Sequence, residues 1–164
     1  IRDFCLSRGL GDVYKRQLYN YYVINTTITF EETPINKEEM GNRIQNHSPE
    51  HHWMVVDLDN KIVGFAFANS WKNRSAYRFT KEISVYIAPD HQRNGWGKQL
   101  YTKLLKILQK EGIHTVVAGI TIPNESIIRF HESMGFEKVA HFKETGFKFK
   151  KWLDVGYWEK KFNH

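Results

Sequence analysis

HQRNGWGKQL, residues 91–100, sets two glycines two apart, Gly95 and Gly97, among basic and amide side chains: Gln92, Arg93, Asn94 and Lys98. Ahead of it lies VYIAP (85–89), an apolar run that ends in proline. Behind it lies YTKLLKILQKEG (101–112). Leu100, Leu104, Leu105 and Leu108 recur there at the spacing of one buried helix face, and Gly112 ends the helix. The ten residues therefore carry the chain from a strand into a helix. A helix N-terminus presents unpaired N–H groups and a partial positive charge, and glycine lets backbone approach a ligand closely. Together these cradle phosphate. Gln99 follows Gly97-Lys98, so this is not a Walker loop, and no third glycine at 100 completes a dinucleotide fingerprint. What fits is Gln92-x-x-Gly95-x-Gly97. By itself the glycine pair suits an ordinary strand–helix turn equally well.

The whole chain narrows the setting. Its 164 residues make one domain the default and suffice for a core. The lone Cys5 excludes a disulfide framework and a cysteine metal site, and points to a reducing cytoplasm. No apolar run is long enough for a membrane span. The net charge of +6 suits nucleic acid, a polyanionic cofactor or an acidic small substrate alike. The basic residues are scattered, however, and the densest group, KFKK (148–151), reads as a solvated hairpin tip. No histidine spacing resembles a metal motif.

Strand and helix periods then order the chain. The first 17 residues, IRDFCLSRGLGDVYKRQ, show no clean period and no initiator Met. Residues 4–17 fit nothing around them, as an appended or artefactual segment would, and order resumes at LYNYYVINTTITF (18–30). The domain is therefore expected to span 18–164, with 1–17 an atypical N-terminal segment. KEEMGNRIQ (37–45) reads as a short helix. WMVVDL (53–58) and KIVGFAFA (61–68) flank Asp59-Asn60 as a hairpin. SWKNRSAYR (70–78) is a polar loop and FTKEISVYIA (79–88) a strand. TVVAGITI (115–122) is an apolar strand stopped by Pro123. Asn124 caps a helix over ESIIRFHESM that Gly135 stops. FEKVAHFKETGFKF and WLDVGYWEKKF are two closing strands. The order predicts an α/β (α+β) layered fold on a mixed sheet.

Longer blocks extend the pattern of the glycine loop. VYIAPDHQRNGWGKQLYTKLL resembles motif A of the GNAT N-acetyltransferase superfamily, and PNESIIRFHESMGF resembles that superfamily's second conserved block. YNYYVINTTITFEE, FANSWKNRSAYRFTKEISVYIAP and GFKFKKWLDVGYWEKKF look closely similar to the phosphinothricin and methionine sulfoximine N-acetyltransferases. The resemblance covers roughly 18–162. It departs at 1–17, where the family has a first strand and the start of a helix. It implies a mostly antiparallel sheet with a splayed strand pair holding the cofactor, and acetyl-CoA as that cofactor. The pyrophosphate would lie on the N–H groups of 93–98, through Trp96, with Arg93 and Lys98 adding charge. The pantetheine arm would run along Val85, Tyr86 and Ile87, and Asn124 and Ser126 would reach the cofactor from the other side. The resemblance also implies a homodimer.

Glu is a poor strand residue, yet Glu82 falls mid-strand, on the face opposite Ile83, Val85 and Ile87. A solvated face is one reading. The other is geometric. Five residues separate Glu82 from Ile87, about 16 Å at about 3.3 Å each, comparable to an extended pantetheine arm. The resemblance places the family's catalytic carboxylate here, as general base toward an amine, with a backbone N–H near Val85 for the oxyanion. Ile127, His131 and Met134 share one helix face. His131 there is either a core histidine or, as the resemblance implies, a proton donor or acceptor. In the polar loop Arg74 suits an α-carboxylate, and Lys72 or Arg78 a second acidic group. Ser75 and Tyr77 would stand alongside, and Phe30 matches a family position near the substrate.

The leading expectation is acetyl transfer to a small amino-acid-like amine of the phosphinothricin, methionine sulfoximine or methionine sulfone type. A GNAT enzyme for a polyamine or a protein N-terminus is the alternative within enzymes. A non-catalytic acetyl-CoA-binding module, or a basic nucleic-acid binder, is the alternative outside them. The scattered basic residues argue against nucleic acid, so the expected partners include neither nucleic acid nor membrane.

Overall fold

The computed structural model describes residues 2–3, 10–45 and 52–163. Strand β1 (Arg2–Asp3) precedes helices α1 (Leu10–Asn25) and α2 (Lys37–Gln45). Strands β2 (Trp53–Leu58), β3 (Lys61–Ser70) and β4 (Thr80–Ile87) follow. Helix α3 (Trp96–Lys110), strand β5 (Thr115–Ile122), helix α4 (Glu125–Ser133) and strands β6 (Glu137–Lys148) and β7 (Lys151–Lys161) complete the chain. The seven strands form one sheet in the order β1-β2-β3-β4-β5-β7-β6. Every pairing is antiparallel except β4 with β5. The expected mixed, mostly antiparallel sheet flanked by helices is what forms.

The sheet is covered on both faces. Leu100, Tyr101, Leu104 and Leu108 of α3 pack with Ile83, Val116, Ile120 and Trp158 on one side. Leu18, Tyr19, Tyr22 and Val23 of α1 and Met40 of α2 pack against Trp53, Val55, Phe65 and Tyr86 on the other. Strand alternation does the sorting: along β4, Ile83 turns toward α3 while Tyr86 turns toward α1.

The β2–β3 hairpin turns at Asp59 and Asn60, both left-handed (φ 50° and 65°), which matches the right-handed twist of the strands they join. β3 runs on to Ser70, two residues past the apolar run, so Asn69 lies in the sheet and not in the loop.

Two further details differ from the sequence reading. Helix α1 begins at Leu10, inside the stretch where no period is visible. Its core stripe is Lys15, Leu18, Tyr19, Tyr22 and Val23, a regular helix face whose first member is a lysine. The Lys15 ammonium lies 5.8 Å from the Trp53 ring centroid. The KFKK turn is also only partly solvated. Phe149 and Lys150 make the left-handed corner (φ 52° and 61°), but Lys148 is 1% exposed. Its Nζ donates to the Thr29 carbonyl at 2.7 Å, and burial holds its pKa below the usual lysine value.

That contact fastens the segment between α1 and α2 to the far hairpin. Lys148→Met should leave the Thr29 carbonyl buried without a donor and cost about 1–3 kcal/mol. Denaturant unfolding measures that loss, and faster amide exchange at residues 27–31 locates it. Unchanged exchange there would show that the segment is held by other means.

Candidate active site

β4 and β5 pair for three residues, Thr80↔Thr115, Lys81↔Val116 and Glu82↔Val117. Beyond them β4 stays with β3 and β5 with β7. The fork opens a cleft of about 570 Å³ between Ile83–Ile87 and Ala118–Thr121. One rim is the 92–95 turn and the first turn of α3, the other the start of α4. Gly95 is the α3 N-cap in the left-handed conformation (φ 78°) and brings no side chain to the helix end. The first-turn N–H groups therefore face the cleft without a side-chain partner. A Cβ on Gly97 would meet the Phe130 ring at 3.7 Å. This bare, basic rim fits a phosphate-bearing ligand.

All the residues expected to hold the cofactor line this cleft except Asn94: Val85, Tyr86, Ile87, Gln92, Arg93, Gly95, Trp96, Gly97, Lys98, Asn124 and Ser126. Two of them also have structural tasks. Gln92 Nε2 donates to the Tyr22 hydroxyl (3.0 Å), which itself donates to the Ile87 carbonyl (2.6 Å). Asn124 caps α4 by accepting the Ile127 N–H. Sequence reasoning missed Tyr22, Ile28 and the β5 wall. Gly119, interior to an apolar strand, was the signal for that wall, since such a glycine marks a close approach.

Glu82 stands at the fork on the α1 side of the sheet. A Cβ on Gly119 would lie 3.4 Å from Glu82 Oε1 and 3.4 Å from the Tyr157 ring, so the glycine makes room for both. Among the described residues nothing hydrogen-bonds or ion-pairs with this carboxylate. Burial alone raises its pKa above the usual value, as desolvation does to an unpartnered acid. It opens into a second cavity, of about 430 Å³, walled by Tyr19, Met40, Trp53, Phe67 and Asn69. Ser84 and Tyr86 line both cavities, so the two meet beside Glu82.

His131 is 3% exposed and boxed by Tyr101, Phe130 and Phe136 at ring separations of 5.3–5.4 Å. Its Nδ1 faces the Ile127 carbonyl at 2.8 Å, which assigns the proton to Nδ1 because a carbonyl only accepts. Nε2 is then the bare nitrogen, and it accepts from the Tyr101 hydroxyl at 3.1 Å. Burial lowers the His131 pKa, keeping it neutral. Burial raises that of Tyr101, so both groups hold their protons at the cleft wall.

The loop expected to bind the acceptor lies at the same end of the sheet, since Asn69 pairs with Glu82 and Ser70 with Lys81. Its side chains line neither cavity. Lys72, Arg74 and Ser75 are exposed, and Lys72 Nζ rests 4.8 Å from the Trp71 ring centroid. Tyr77 sits edge-on to Trp71, and Arg78 folds over Phe79. Phe30 lies elsewhere, on Gly146, where a Cβ would come within 2.1 Å of its ring. Among the described residues no group of three or more His, Cys, Asp or Glu is placed to hold a metal ion, and no helix is long and apolar enough to cross a membrane.

Comparison with known proteins bears on this geometry. Residues 16–136 match the Acetyltransferase (GNAT) family. A phosphinothricin N-acetyltransferase of Streptomyces viridochromogenes is 34% identical over 145 residues, 88% of this chain and 79% of its own. An L-methionine sulfoximine/L-methionine sulfone acetyltransferase of Salmonella typhimurium is 31% identical over 140 residues, 85% of this chain and 82% of its own. The crystal structure of a GNAT superfamily phosphinothricin acetyltransferase from Sinorhizobium meliloti, in complex with acetyl-CoA, superposes with a TM-score of 0.89. It is 29% identical, and the match covers 99% of this chain and 90% of that one.

The buried carboxylate makes a prediction of its own. With its folded-state pKa raised, Glu82 favours the protonated acid in the folded chain. Its ionisation therefore costs stability, a cost absent below the ordinary Glu value of about 4.3, growing as pH rises from there to the raised folded-state value, and constant above it. Glu82→Gln removes the titration. At pH 7 the variant should be at least as stable as the parent, with the gap narrowing toward pH 4. Denaturant melts across that range check it, and a variant less stable at pH 7 would contradict the burial argument.

Proposed function

This chain belongs to the GNAT acetyltransferase family, and from that premise we propose that it moves an acetyl group from acetyl-CoA to the amine of a small amino-acid-like acceptor, with Glu82 as general base. The observation that carries the proposal is an unpartnered, desolvated carboxylate at the junction of two cavities. One of these has a backbone phosphate cradle, and the other is large enough for a small acceptor.

Acetyl-CoA supplies an acetyl group already activated as a thioester. The first turn of α3, with Arg93 and Lys98, would hold its phosphates, and Val85–Ile87 its arm, with Asn124 and Ser126 opposite. An amine is mostly protonated at neutral pH and cannot attack until it loses a proton. A carboxylate whose pKa burial has raised is a better acceptor for that proton than a solvated one. A backbone N–H near Val85 would steady the developing oxyanion. On the leaving-group side, His131 Nε2 and the Tyr101 hydroxyl hold one proton between them at the cleft wall.

The acceptor class follows the relatives, whose names specify phosphinothricin, methionine sulfoximine and methionine sulfone. A polyamine or a protein N-terminus is favoured by a different observation. The second cavity holds two carboxylates, Glu31 and Glu82, against one guanidinium, Arg43, and the Lys72/Arg74 loop stands outside it. The exposed aromatic pair on the closing hairpin, Phe147 and Trp152, supports the homodimer.

Free-thiol release from acetyl-CoA, measured with phosphinothricin, methionine sulfoximine, methionine sulfone, common amino acids, spermidine and a peptide, tests the reading. Saturable release is expected with the first three. Release with spermidine or the peptide alone would move the acceptor to the second class, and none with any amine would overturn acetyl transfer. Glu82→Gln should lower turnover by about 10²–10⁴-fold while acetyl-CoA binding, followed by calorimetry, is retained.

A further inference from the structure

Among the described residues, few polar groups at the second cavity lack a hydrogen-bond or ion-pair partner. Arg43 is ion-paired to Glu31 and Glu39, both at 2.5 Å, and the Tyr19 hydroxyl is engaged with Thr29. What remains is the Glu82 carboxylate, the Ser84 hydroxyl and the Asn69 amide, both its Nδ2 and its Oδ1. The last is buried with no hydrogen-bond partner. Asn69 and Glu82 are direct partners across β3 and β4, which sets their side chains next to each other on one face, with Cβ atoms about 5 Å apart. Ser84 is two residues along on the same face. Two acceptors side by side cannot satisfy one another. Phe67 and Trp53, stacked 4.4 Å apart, wall the space beside them, and aromatic walls suit a cation.

Resting on the acetyl-transfer reading, we infer that this cavity is the acceptor's amine subsite, and that Asn69 Oδ1 receives the primary ammonium together with Glu82. A primary ammonium carries three N–H donors, and Glu82, Asn69 and Ser84 offer three oxygens. The arrangement delivers the nitrogen to the carboxylate that is to deprotonate it, at the junction with the cofactor cleft. It also places amine recognition on the sheet itself, where the backbone pairing fixes its geometry.

Calorimetric titration with L-methionine sulfone and with spermidine, coenzyme A being present in excess, tests this in the parent chain and two variants. The parent should bind one of the two amines. Asn69→Leu keeps the volume and removes the oxygen, and should weaken binding about ten- to a hundredfold, the size of one hydrogen bond to a charged group. Asn69→Asp keeps an acceptor oxygen and has no N–H, and should hold or tighten the affinity. Coenzyme A affinity should be the same in all three, and thermal unfolding checks that each is folded. The inference is overturned if the parent binds neither amine, if Asn69→Leu binds as well as the parent, or if Asn69→Asp loses as much as Asn69→Leu. In that last case the amide N–H would be what matters, as a donor to Glu82. Amine binding without any thiol release would instead sink acetyl transfer and leave the subsite standing.

Discussion

Strands β4 and β5 hold together for three residue pairs and then separate, and nearly every functional feature of the chain follows from that parting. A parallel pair inside a sheet normally continues until one strand ends, because each unpaired backbone group is a cost. Here each strand keeps a full ladder on its other edge, β4 with β3 from Gly64 to Ser70 and β5 with β7 from Thr115 to Ile122. The fork can therefore open without melting either half. It exposes one edge of β4 to a ligand and brings the first turns of α3 and α4 to the same opening. It leaves Glu82 as the last residue of β4 that pairs with β5, with Gly119 clearing the space beside it.

The wedge stays open because it is strapped across. The segment between α1 and α2 crosses the opening and is tied on each side. Thr121 Oγ1 donates to the Thr27 carbonyl (2.7 Å), Lys148 donates to that of Thr29, and Tyr19 engages the Thr29 hydroxyl (3.0 Å). The Phe30 ring closes on Gly146 at the same place. The contacts draw on α1, β5 and β6, so the strap holds the two halves of the sheet in a fixed relation where they do not hold each other.

Much of this was legible in the residues. The leucine spacing located α3, the Asp59-Asn60 corner located its hairpin, and TVVAGITI is β5 residue for residue. The alternation through Glu82 put the carboxylate on the correct face. What was not legible depended on contacts across long stretches of chain. Lys148 read as solvated because a lysine usually is. Lys148 is buried by a partner 119 residues away, and Lys15 hides the start of its helix by occupying a core position. Asn69 was lost more simply, since the apolar run ends at Ala68 while hydrogen bonding continues to Ser70. The acceptor residues followed charge, and the charged loop proved to be solvated.

One hydroxyl joins the two sides of the sheet. Tyr22 belongs to α1, which covers the face where Glu82 and its cavity lie, yet its oxygen holds Gln92 of the phosphate loop and the Ile87 carbonyl of the cofactor strand. A ligand that stills the loop therefore stills the helix beside the other cavity. The second ligand meets a chain already partly ordered and gives up less conformational entropy in binding. Such a gain is reciprocal. Through the one Tyr22 hydroxyl, the cofactor cleft and the helix beside the other cavity would share one thermodynamic account.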